Sequence, residues 1–336
     1  MNFCILPAGA WGTAMAIHLN RLGHHVTLIP RTAEEALEMS TNRENKQFFP
    51  GHKLDQSIQI GMEYKPALME ADVLILACPA KFLRSVCKEL EEALHPSNAK
   101  QLKLAVVLCK GLEPQTKRLP LTALTDELPG LACGLMSGPT FASQLALGQP
   151  TAMVFASKSK DPFVQNFQEA ISGASLRVYT SHDVDGVGLG GCLKNVYAIA
   201  AGVCDGLGFK DNAKAALLTR ALAEMVRIGR ELGGTMETFF GLSGFGDLIL
   251  TCNGQESRNR TFGELFAKGE SIQSLIEEKG MTVEGYWTAK SFFEICQEKG
   301  IDAPILEQIY RILYDGQAVH EALLALMNRD LKHERF

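Results

Sequence analysis

Two lysines stand where the chain could carry out acid–base chemistry. Lys110 directly follows the apolar run Leu104–Cys109, and Lys194 follows a glycine-rich segment, residues 186–191. A lysine whose pKa is lowered by burial can donate a proton to a substrate and take it back. The alternatives are a solvated lysine at a strand end for Lys110 and a lysine on a helix surface for Lys194.

A single carboxylate, Asp247, follows the glycines of Gly244-Phe245-Gly246. It could hold a substrate hydroxyl or position Lys194. Aspartate is also a favoured N-cap, so Asp247 could instead cap a helix over Leu248–Cys252. The sequence leaves both roles open.

The segment Ser257-Arg258-Asn259 has the pattern of a helix N-terminus, with a helix expected over Ser257–Lys268. Backbone N–H groups, a guanidinium and a short amide together would form an anion site. An ordinary capped helix is the alternative. Gly138 and Thr140 lie in a predicted turn whose backbone could face a substrate, although they could also serve the turn alone.

A near-match to a dinucleotide-binding loop lies at the N-terminus, in Leu6-Pro7-Ala8-Gly9-Ala10-Trp11-Gly12. A strand is predicted over Asn2–Leu6 and a helix over Gly12–Leu22, so a pyrophosphate could bind at the helix N-terminus. Pro7 replaces the first glycine of the pattern and has no N–H. We expect binding to be retained but weakened; the alternative is a tight turn that only packs.

Cofactor choice is expected to depend on Arg31. The second predicted strand, His25–Ile29, is followed by Pro30 and Arg31, where NAD enzymes often place an acidic residue. An arginine there can pair with the 2′-phosphate of NADP(H). Glu34 and Glu35 follow at the expected start of a helix after Thr32. NADP(H) is therefore favoured and NAD(H) stays open; a solvated surface cation is the alternative for Arg31.

Two kinds of element would position these groups. Short apolar runs alternate with helical patterns in the first half, which predicts a parallel sheet covered on both faces. These further strands are predicted at Val73–Cys78, Leu104–Cys109, Leu135–Ser137 and Ala152–Ala156. After Arg177–Tyr179 helical periods take over, with helices expected over 211–232, 271–279, 288–299 and 304–314. We predict an α/β Rossmann-type domain over residues 1–185 and an all-α domain over residues 186–336.

Composition excludes several classes of protein. A net charge of −5 argues against non-specific binding of nucleic acid. The nine cysteines form no C-x-x-C and are predicted to be buried free thiols of a reducing compartment. The eight histidines show no ligand spacing, so no metal is expected. No uninterrupted apolar run has the length of a membrane span and no basic segment precedes Phe3–Leu19, so a cytoplasmic location is expected.

Eight motifs together resemble one family, the NAD(P)-dependent glycerol-3-phosphate dehydrogenases of the bacterial type. The motifs are GAWGTAMA, FFPG, CKGLE, SGPTFA, LKNVYAIAAG, GFGDLILTC, SRNRTFG and TVEG. They follow the family order from about residue 8 to about residue 288. Pro7 departs from the usual first glycine, which bears on the loop geometry rather than on the reaction.

The resemblance implies that dihydroxyacetone phosphate and sn-glycerol 3-phosphate are interconverted for glycerophospholipid synthesis. It implies that Lys194 is the proton donor and acceptor, and that Lys110 and Asp247 are catalytic residues that position the substrate. The implied substrate-binding residues are Lys110, Gly138, Thr140, Lys194, Asp247, Ser257, Arg258 and Asn259. The implied cofactor-binding residues are Gly9, Ala10, Trp11, Gly12, Arg31, Lys110, Ala142, Arg258 and Glu284.

Alternatives remain open. Glu284 could be a surface carboxylate, and Arg260 is expected to support the anion site rather than to contact the substrate. The chain could be a related dehydrogenase of a hydroxy acid or polyol phosphate. It could also be a non-catalytic nucleotide-sensing protein with a degenerate loop, for which Pro7 is the only support. A small phosphorylated three-carbon substrate is the expected partner, without nucleic acid or membrane insertion, and a homodimer is allowed.

Overall fold

The computed structural model describes residues 1–95, 98–331 and 333–334, and it divides into two compact units. The first unit contains Met1–Cys109 and Pro120–Val184, and the second contains Lys110–Leu119 and the chain from Asp185 onward. The observed boundary at 184/185 lies one residue before the predicted one at 185/186, and one further segment is placed differently. The short segment Lys110–Leu119, which includes the candidate catalytic Lys110, belongs to the second unit.

The first unit contains an eight-stranded sheet in the order β3-β2-β1-β4-β5-β6-β7-β8. Its strands are β1 (Asn2–Leu6), β2 (His25–Leu28), β3 (Gln59–Ile60), β4 (Val73–Leu76), β5 (Leu104–Val107), β6 (Ala132–Ser137), β7 (Thr151–Ala156) and β8 (Leu176–Ser181). β4 and β5 are buried along their whole length, as their unbroken apolar sequences require. The six predicted strands are all present, whereas the two-residue strand β3 and the strand β8 were not predicted.

The parallel arrangement is confirmed from β3 through β6 and fails at one pair. β7 runs antiparallel to β6, and β8 then runs parallel to β7. The connection between β6 and β7 contains only the five-residue helix Ala142–Ala146. This helix is shorter than the α-helix that usually carries a parallel crossover from one strand to the next.

Helices flank this sheet. They are α1 (Ala10–Arg21), α2 (Ala33–Asn42), α3 (Tyr64–Glu70), α4 (Leu83–Glu89), α5 (Glu91–Leu94), α6 (Pro120–Glu127), α7 (Ala142–Ala146) and α8 (Pro162–Ile171), with a 3₁₀ turn at Ala80–Phe82. α1 packs against α7, and its small residues Ala14 and Ala16 are fully buried. The helix that carries the nucleotide loop is therefore fixed by packing.

The second unit is helical, as predicted. Its elements are α9 (Val184–Gly206), α10 (Asp211–Glu231), α11 (Met236–Phe240), a π-helical turn (Leu242–Gly246), α12 (Asp247–Asn253), α13 (Arg258–Ala267), a second π-helical turn (Ser274–Glu278), α14 (Glu284–Lys299), α15 (Pro304–Tyr314) and α16 (Val319–Met327). α14 begins four residues earlier than the sequence predicted. The predicted helix over 271–279 is mainly the second π-helical turn.

α9 is the central helix of this unit. It is long and apolar enough for a membrane span, but 94% of its apolar window is buried inside the protein, as in a core helix. A Cβ at Gly202 would lie 1.9 Å from the carbonyl oxygen of Arg260, and one at Gly263 would lie 2.1 Å from that of Ile199. The backbones of α9 and α13 therefore cross in direct contact, which fixes the N-terminal turn of α13 relative to α9.

Candidate active site

A buried carboxylate joins the two candidate lysines in the second unit. The Nζ of Lys194 donates to Oδ1 of Asp247 at 2.7 Å, and the Nζ of Lys110 donates to Oδ2 at 2.7 Å. The Asp247 side chain is 0% exposed, and those of Lys194 and Lys110 are 9% and 11% exposed. Both lysines are therefore paired and nearly desolvated, and neither is the solvated lysine of the alternative interpretation.

Glycines bring the backbone segments of this cluster together. Asp247 is the first residue of α12 and directly follows the π-helical turn Leu242–Gly246. A Cβ at Gly190, one turn before Lys194 on α9, would lie 2.6 Å from the carbonyl oxygen of Ser243. Gly190, within the glycine-rich segment before Lys194, therefore allows the two backbone segments to approach closely.

The proposed capping role of Asp247 is wrong. Gly246 occupies the N-cap position of α12, and no side chain caps this helix. Oδ1 of Asp247 instead accepts hydrogen bonds from Lys194 and from the hydroxyl of Thr251 at 3.2 Å. The carboxylate is directed to the lysines because they supply the charge that its burial requires.

Thr251 completes the cluster and was not predicted. Its Oγ1 accepts a hydrogen bond from Lys194 Nζ at 2.8 Å while its hydroxyl donates to Asp247. Its position four residues after Asp247 places it on the same face of α12. That spacing was the only signal in the sequence.

The two kinds of charge in the cluster respond differently to burial. Burial and, to a smaller extent, the charge of Lys110 lower the pKa of Lys194 to about 8, against the raising effect of Asp247. Burial alone would raise the pKa of Asp247, but Lys110 and Lys194 outweigh it and hold the pKa below its usual value. The cluster thus combines an ionised aspartate with a lysine able to exchange a proton near neutral pH.

The predicted anion segment forms the N-terminus of α13. Ser257 is the N-cap, and its side chain accepts a hydrogen bond from the N–H of Arg260 at 3.2 Å. Arg258 is exposed at the first helical position. The Arg260 guanidinium donates to Asp205 at 2.7 Å. This contact agrees with the expectation that Arg260 supports the anion site rather than contacting the substrate.

A chain of buried amides connects this segment to the lysine cluster. Asn259 donates from Nδ2 to Oδ1 of Asn195 at 2.9 Å, and Asn195 donates to the carbonyl oxygen of Lys110 at 2.7 Å. Oδ1 of Asn259 accepts from the N–H of Gly285 at 2.9 Å. The neighbouring Glu284 accepts from the N–H of Lys110 at 3.3 Å, so it is not simply a surface carboxylate. Asn195 lies in the motif LKNVYAIAAG, but its linking contacts were not predicted.

The nucleotide loop lies in the first unit, where Gly9 is the N-cap of α1 and Ala10 and Trp11 begin the helix. A Cβ at Gly12 would lie 2.2 Å from the carbonyl oxygen of Pro7, so the fold itself requires this glycine. A Cβ at Gly9 would have no atom within 4 Å. Space therefore exists beside Gly9 for a dinucleotide pyrophosphate at the positive end of α1, and the loop fits such a group.

Asn45, another residue that sequence reasoning missed, holds the loop. Its buried amide donates to the carbonyl oxygen of Ala8 and to the hydroxyl of Thr13, both at 2.8 Å. The N–H of Ala8 donates to the carbonyl oxygen of Ile29 at 2.9 Å. The loop is thus fixed on two sides although Pro7 stands at its start.

The remaining predicted residues also lie in the first unit. Gly138 follows β6 with a φ of +141°, a conformation that favours glycine. Thr140 is buried, and its hydroxyl makes no hydrogen bond to another described residue. Ala142 is the first residue of α7. Arg31 follows β2 by three residues and pairs with Glu35 at 2.6 Å, so it is exposed but not simply solvated.

The cysteines form no disulfide in the structure. All nine cysteines are free and six are buried, in line with the predicted free thiols. Over residues 1–95, 98–331 and 333–334, no group of three His, Cys, Asp or Glu side chains could hold a metal ion.

Comparison with known proteins identifies the family. Residues 2–162 match the family described as NAD-dependent glycerol-3-phosphate dehydrogenase N-terminus, and residues 183–324 match the corresponding C-terminus. The chain belongs to the NAD-dependent glycerol-3-phosphate dehydrogenases.

Similar proteins agree with this membership of the glycerol-3-phosphate dehydrogenase family. A glycerol-3-phosphate dehydrogenase [NAD(P)+] from Thiobacillus denitrificans is 43% identical over 99% of this chain and 100% of that protein. One from Thermoanaerobacter sp. is 41% identical over 99% of both. A crystal structure of glycerol-3-phosphate dehydrogenase from Coxiella burnetii, 31% identical, superposes with a TM-score of 0.91 and covers 98% of this chain and 99% of that one.

Proposed function

We propose that the chain interconverts dihydroxyacetone phosphate and sn-glycerol 3-phosphate with a nicotinamide cofactor, and so supplies glycerophospholipid synthesis. One observation carries the proposal: Lys194 is buried, bridged through Asp247 to Lys110, and has a pKa lowered to about 8. Such a lysine can give a proton to a carbonyl oxygen and take it back. The names of the relatives support the same reaction.

The cofactor, when bound, supplies a hydride to the carbonyl carbon or accepts one from the alcohol. Lys194 donates the proton to the carbonyl oxygen in reduction and recovers it in oxidation. Lys110 is the second positive charge, and it stabilises the negative charge that develops on that oxygen. Asp247 positions both ammonium groups through its two carboxylate oxygens and keeps them close despite their like charge.

The substrate phosphate is assigned to Ser257, Arg258 and Asn259. The N-terminus of α13 and the exposed Arg258 guanidinium offer the donors and positive charge that a phosphate requires. The amide chain from Asn259 through Asn195 to Lys110 supports this assignment, because it fixes the distance between the phosphate end and the reacting end. Gly138 and Thr140 are further proposed substrate contacts.

The cofactor is assigned to the loop Gly9–Gly12, with Arg31, Lys110, Ala142, Arg258 and Glu284 as further contacts. The space beside Gly9 and the fixed loop geometry support this assignment. From Arg31 alone, NADP(H) is the favoured form. A cytoplasmic location is proposed because nine free thiols suit a reducing compartment. Homodimer formation stays a prediction.

The test is the oxidation of NADPH by dihydroxyacetone phosphate, with NADH in parallel. We expect turnover with at least one cofactor and a loss of about a hundredfold or more in Lys194→Ala. Exchange of a surface lysine, Lys268→Ala, is the matched control, since Lys268 only pairs with Glu264 on α13. The absence of turnover with both cofactors would refute the proposed function. An active Lys194→Ala would refute the assignment of the proton to Lys194.

A further inference from the structure

The guanidinium expected to receive a 2′-phosphate already has an anionic partner. Oε1 of Glu35 accepts from the Arg31 guanidinium at 2.6 Å, and Oε2 accepts from the Arg31 backbone N–H at 3.0 Å. Gln47 accepts from the same guanidinium nitrogen at 3.5 Å. The positive charge of the Arg31 guanidinium is therefore paired with the carboxylate of Glu35.

Local structure holds the Glu35 carboxylate in this place. Thr32 is the N-cap of α2, and its side chain accepts from the N–H of Glu35 at 3.1 Å. Glu35 thus stands three residues after the cap, the position from which a glutamate reaches back over the helix start. Burial raises the pKa of Glu35, but its hydrogen bonds to Arg31 outweigh this and lower the pKa overall. The carboxylate is ionised at neutral pH.

The Arg31–Glu35 pair lies just after the carboxyl end of β2, where dinucleotide-binding folds select the cofactor. Ile29, two residues before Arg31, donates its N–H to Ile5 of β1 and accepts from Ala8 of the nucleotide loop, both at 2.9 Å. In dinucleotide-binding folds the end of the second strand meets the adenosine ribose, where an acid accepts from the 2′-hydroxyl or an arginine pairs with the 2′-phosphate. The chain offers both kinds of group here.

We propose that Glu35 is the specificity-determining residue for the cofactor. Its carboxylate accepts a hydrogen bond from the 2′-hydroxyl of NAD(H) and opposes the 2′-phosphate of NADP(H), both by repulsion and by holding Arg31. Arg31 acts in the opposite sense. The chain therefore accepts both cofactors, and neutralising Glu35 shifts the balance toward NADP(H). This inference rests on the proposed function.

The variants follow from this geometry. Glu35→Gln removes the charge and keeps the side-chain shape, while Thr32 still caps the helix. Glu38→Gln is the matched control: Glu38 lies on the same helix, carries the same charge and is 54% exposed, but it pairs with Lys46 at 3.0 Å. Arg31→Gln tests the opposing group.

The experiment measures the dissociation constants of NADH and NADPH by isothermal titration calorimetry at one fixed ionic strength, with turnover as a second readout. We expect Glu35→Gln to shift the ratio of the two constants about tenfold toward NADPH, the scale of one hydrogen bond to a charged group. Arg31→Gln should shift it about tenfold toward NADH. Glu38→Gln should leave it within about twofold.

The inference is overturned if Glu35→Gln leaves the ratio unchanged, or if Glu38→Gln moves it as far. A parent chain that binds both cofactors, with an unmoved ratio in Glu35→Gln, refutes this inference alone. A parent chain that binds neither refutes the proposed function together with it. Circular dichroism of each variant verifies that the helices are intact.

Discussion

Lys194, the proposed proton donor and acceptor, depends on its neighbours for its protonation state. Desolvation alone would disfavour its charged form, and Lys110 adds repulsion. Asp247 offsets these two effects only in part, through a carboxylate that contacts the two ammonium groups at 2.7 Å. The balance places the pKa of Lys194 at about 8 instead of the ordinary value for lysine, which is 10.5. The lysine can therefore serve both directions of the reaction near neutral pH.

This balance predicts opposite pH dependences for the two directions. In the proposed mechanism reduction needs protonated Lys194, so kcat/KM for dihydroxyacetone phosphate should fall as the pH rises through about 8. Oxidation needs the neutral amine, so kcat/KM for glycerol 3-phosphate should rise through the same pH. Asp247→Asn should move both breakpoints to lower pH, because the carboxylate raises the pKa of Lys194. Steady-state rates over a pH series check this; a breakpoint that stays in place in Asp247→Asn would contradict it.

For individual residues of the candidate site, the sequence predicted which side chains take part but not which atoms they contact. Resemblance singled out Lys110, Lys194 and Asp247. The contact of Lys110 with Asp247 spans 137 positions of the chain, which no local pattern reports. Thr251 and Asn45 carry no motif of their own. Their roles follow from buried hydrogen bonds that only the assembled backbone brings within reach.

Helices and strands could be predicted from the sequence where their formation depends only on neighbouring residues. β4 and β5 are continuous apolar runs and were found, and the Ser257 cap was found because cap chemistry is local. The strand β7 was found but its antiparallel direction was missed, because strand direction depends on the connection and not on the strand sequence. The π-helical turn before Asp247 was missed because the contact of Ser243 with Gly190 is tertiary.

The two glycines of the nucleotide loop should separate folding from binding. Gly12→Ala should lower the free energy of unfolding by about 1–3 kcal/mol, because the new Cβ would overlap the carbonyl oxygen of Pro7. Gly9→Ala should change it by less than about 0.5 kcal/mol, since no atom lies within 4 Å of its Cβ. Gly9→Ala should nevertheless weaken NAD(P)H binding. Urea unfolding without cofactor and titration with cofactor check this. Equal destabilisation by both changes would argue against the loop geometry.

A buried glutamate joins α10 to the start of α15. Glu224 is 1% exposed, and its carboxylate accepts from the N–H groups of Ile305 and Leu306, both at 2.9 Å. These are among the first N–H groups of α15, which have no partner within the helix. Burial raises the pKa of Glu224 to about 7, against the lowering effect of these hydrogen bonds. The helix junction therefore contains a group that titrates near neutral pH.

Glu224 should make the second unit less stable as the pH rises. Between the ordinary pKa of 4.5 and about 7, the folded state holds a proton that the unfolded state has lost, so this stabilising contribution disappears as the pH rises through about 7. Glu224→Gln cannot titrate. We therefore subtract the free energy of unfolding of Glu224→Gln from that of the parent protein. This difference should be largest at mildly acidic pH and should fall by about 1–3 kcal/mol at mildly alkaline pH. Chemical unfolding at a series of pH values measures it, and a constant difference would contradict the prediction.

Across the whole molecule, the nine cysteines are spread over both units without forming a disulfide. Six are buried, and Cys109, Cys133 and Cys204 are half-buried. Burial raises the pKa of the Cys4 and Cys252 thiols to about 12. The thiolate is the reactive form, so these side chains are shielded both by packing and by protonation. The packing of the folded protein, and not disulfide bonding, therefore limits the reactivity of these thiols.

The reactivity of the thiols therefore reports the integrity of the fold. In the native protein at mildly alkaline pH, we expect Ellman's reagent to label at most the three half-buried cysteines, and slowly. In concentrated guanidinium without reductant all nine should react, because the chain has nine free thiols and unfolding exposes them. Pre-treatment with reductant is the control and should leave that number unchanged. A count that rises after reduction would reveal a disulfide, and rapid labelling of more than three native thiols would show that the packing around the buried cysteines is looser than the structure has it.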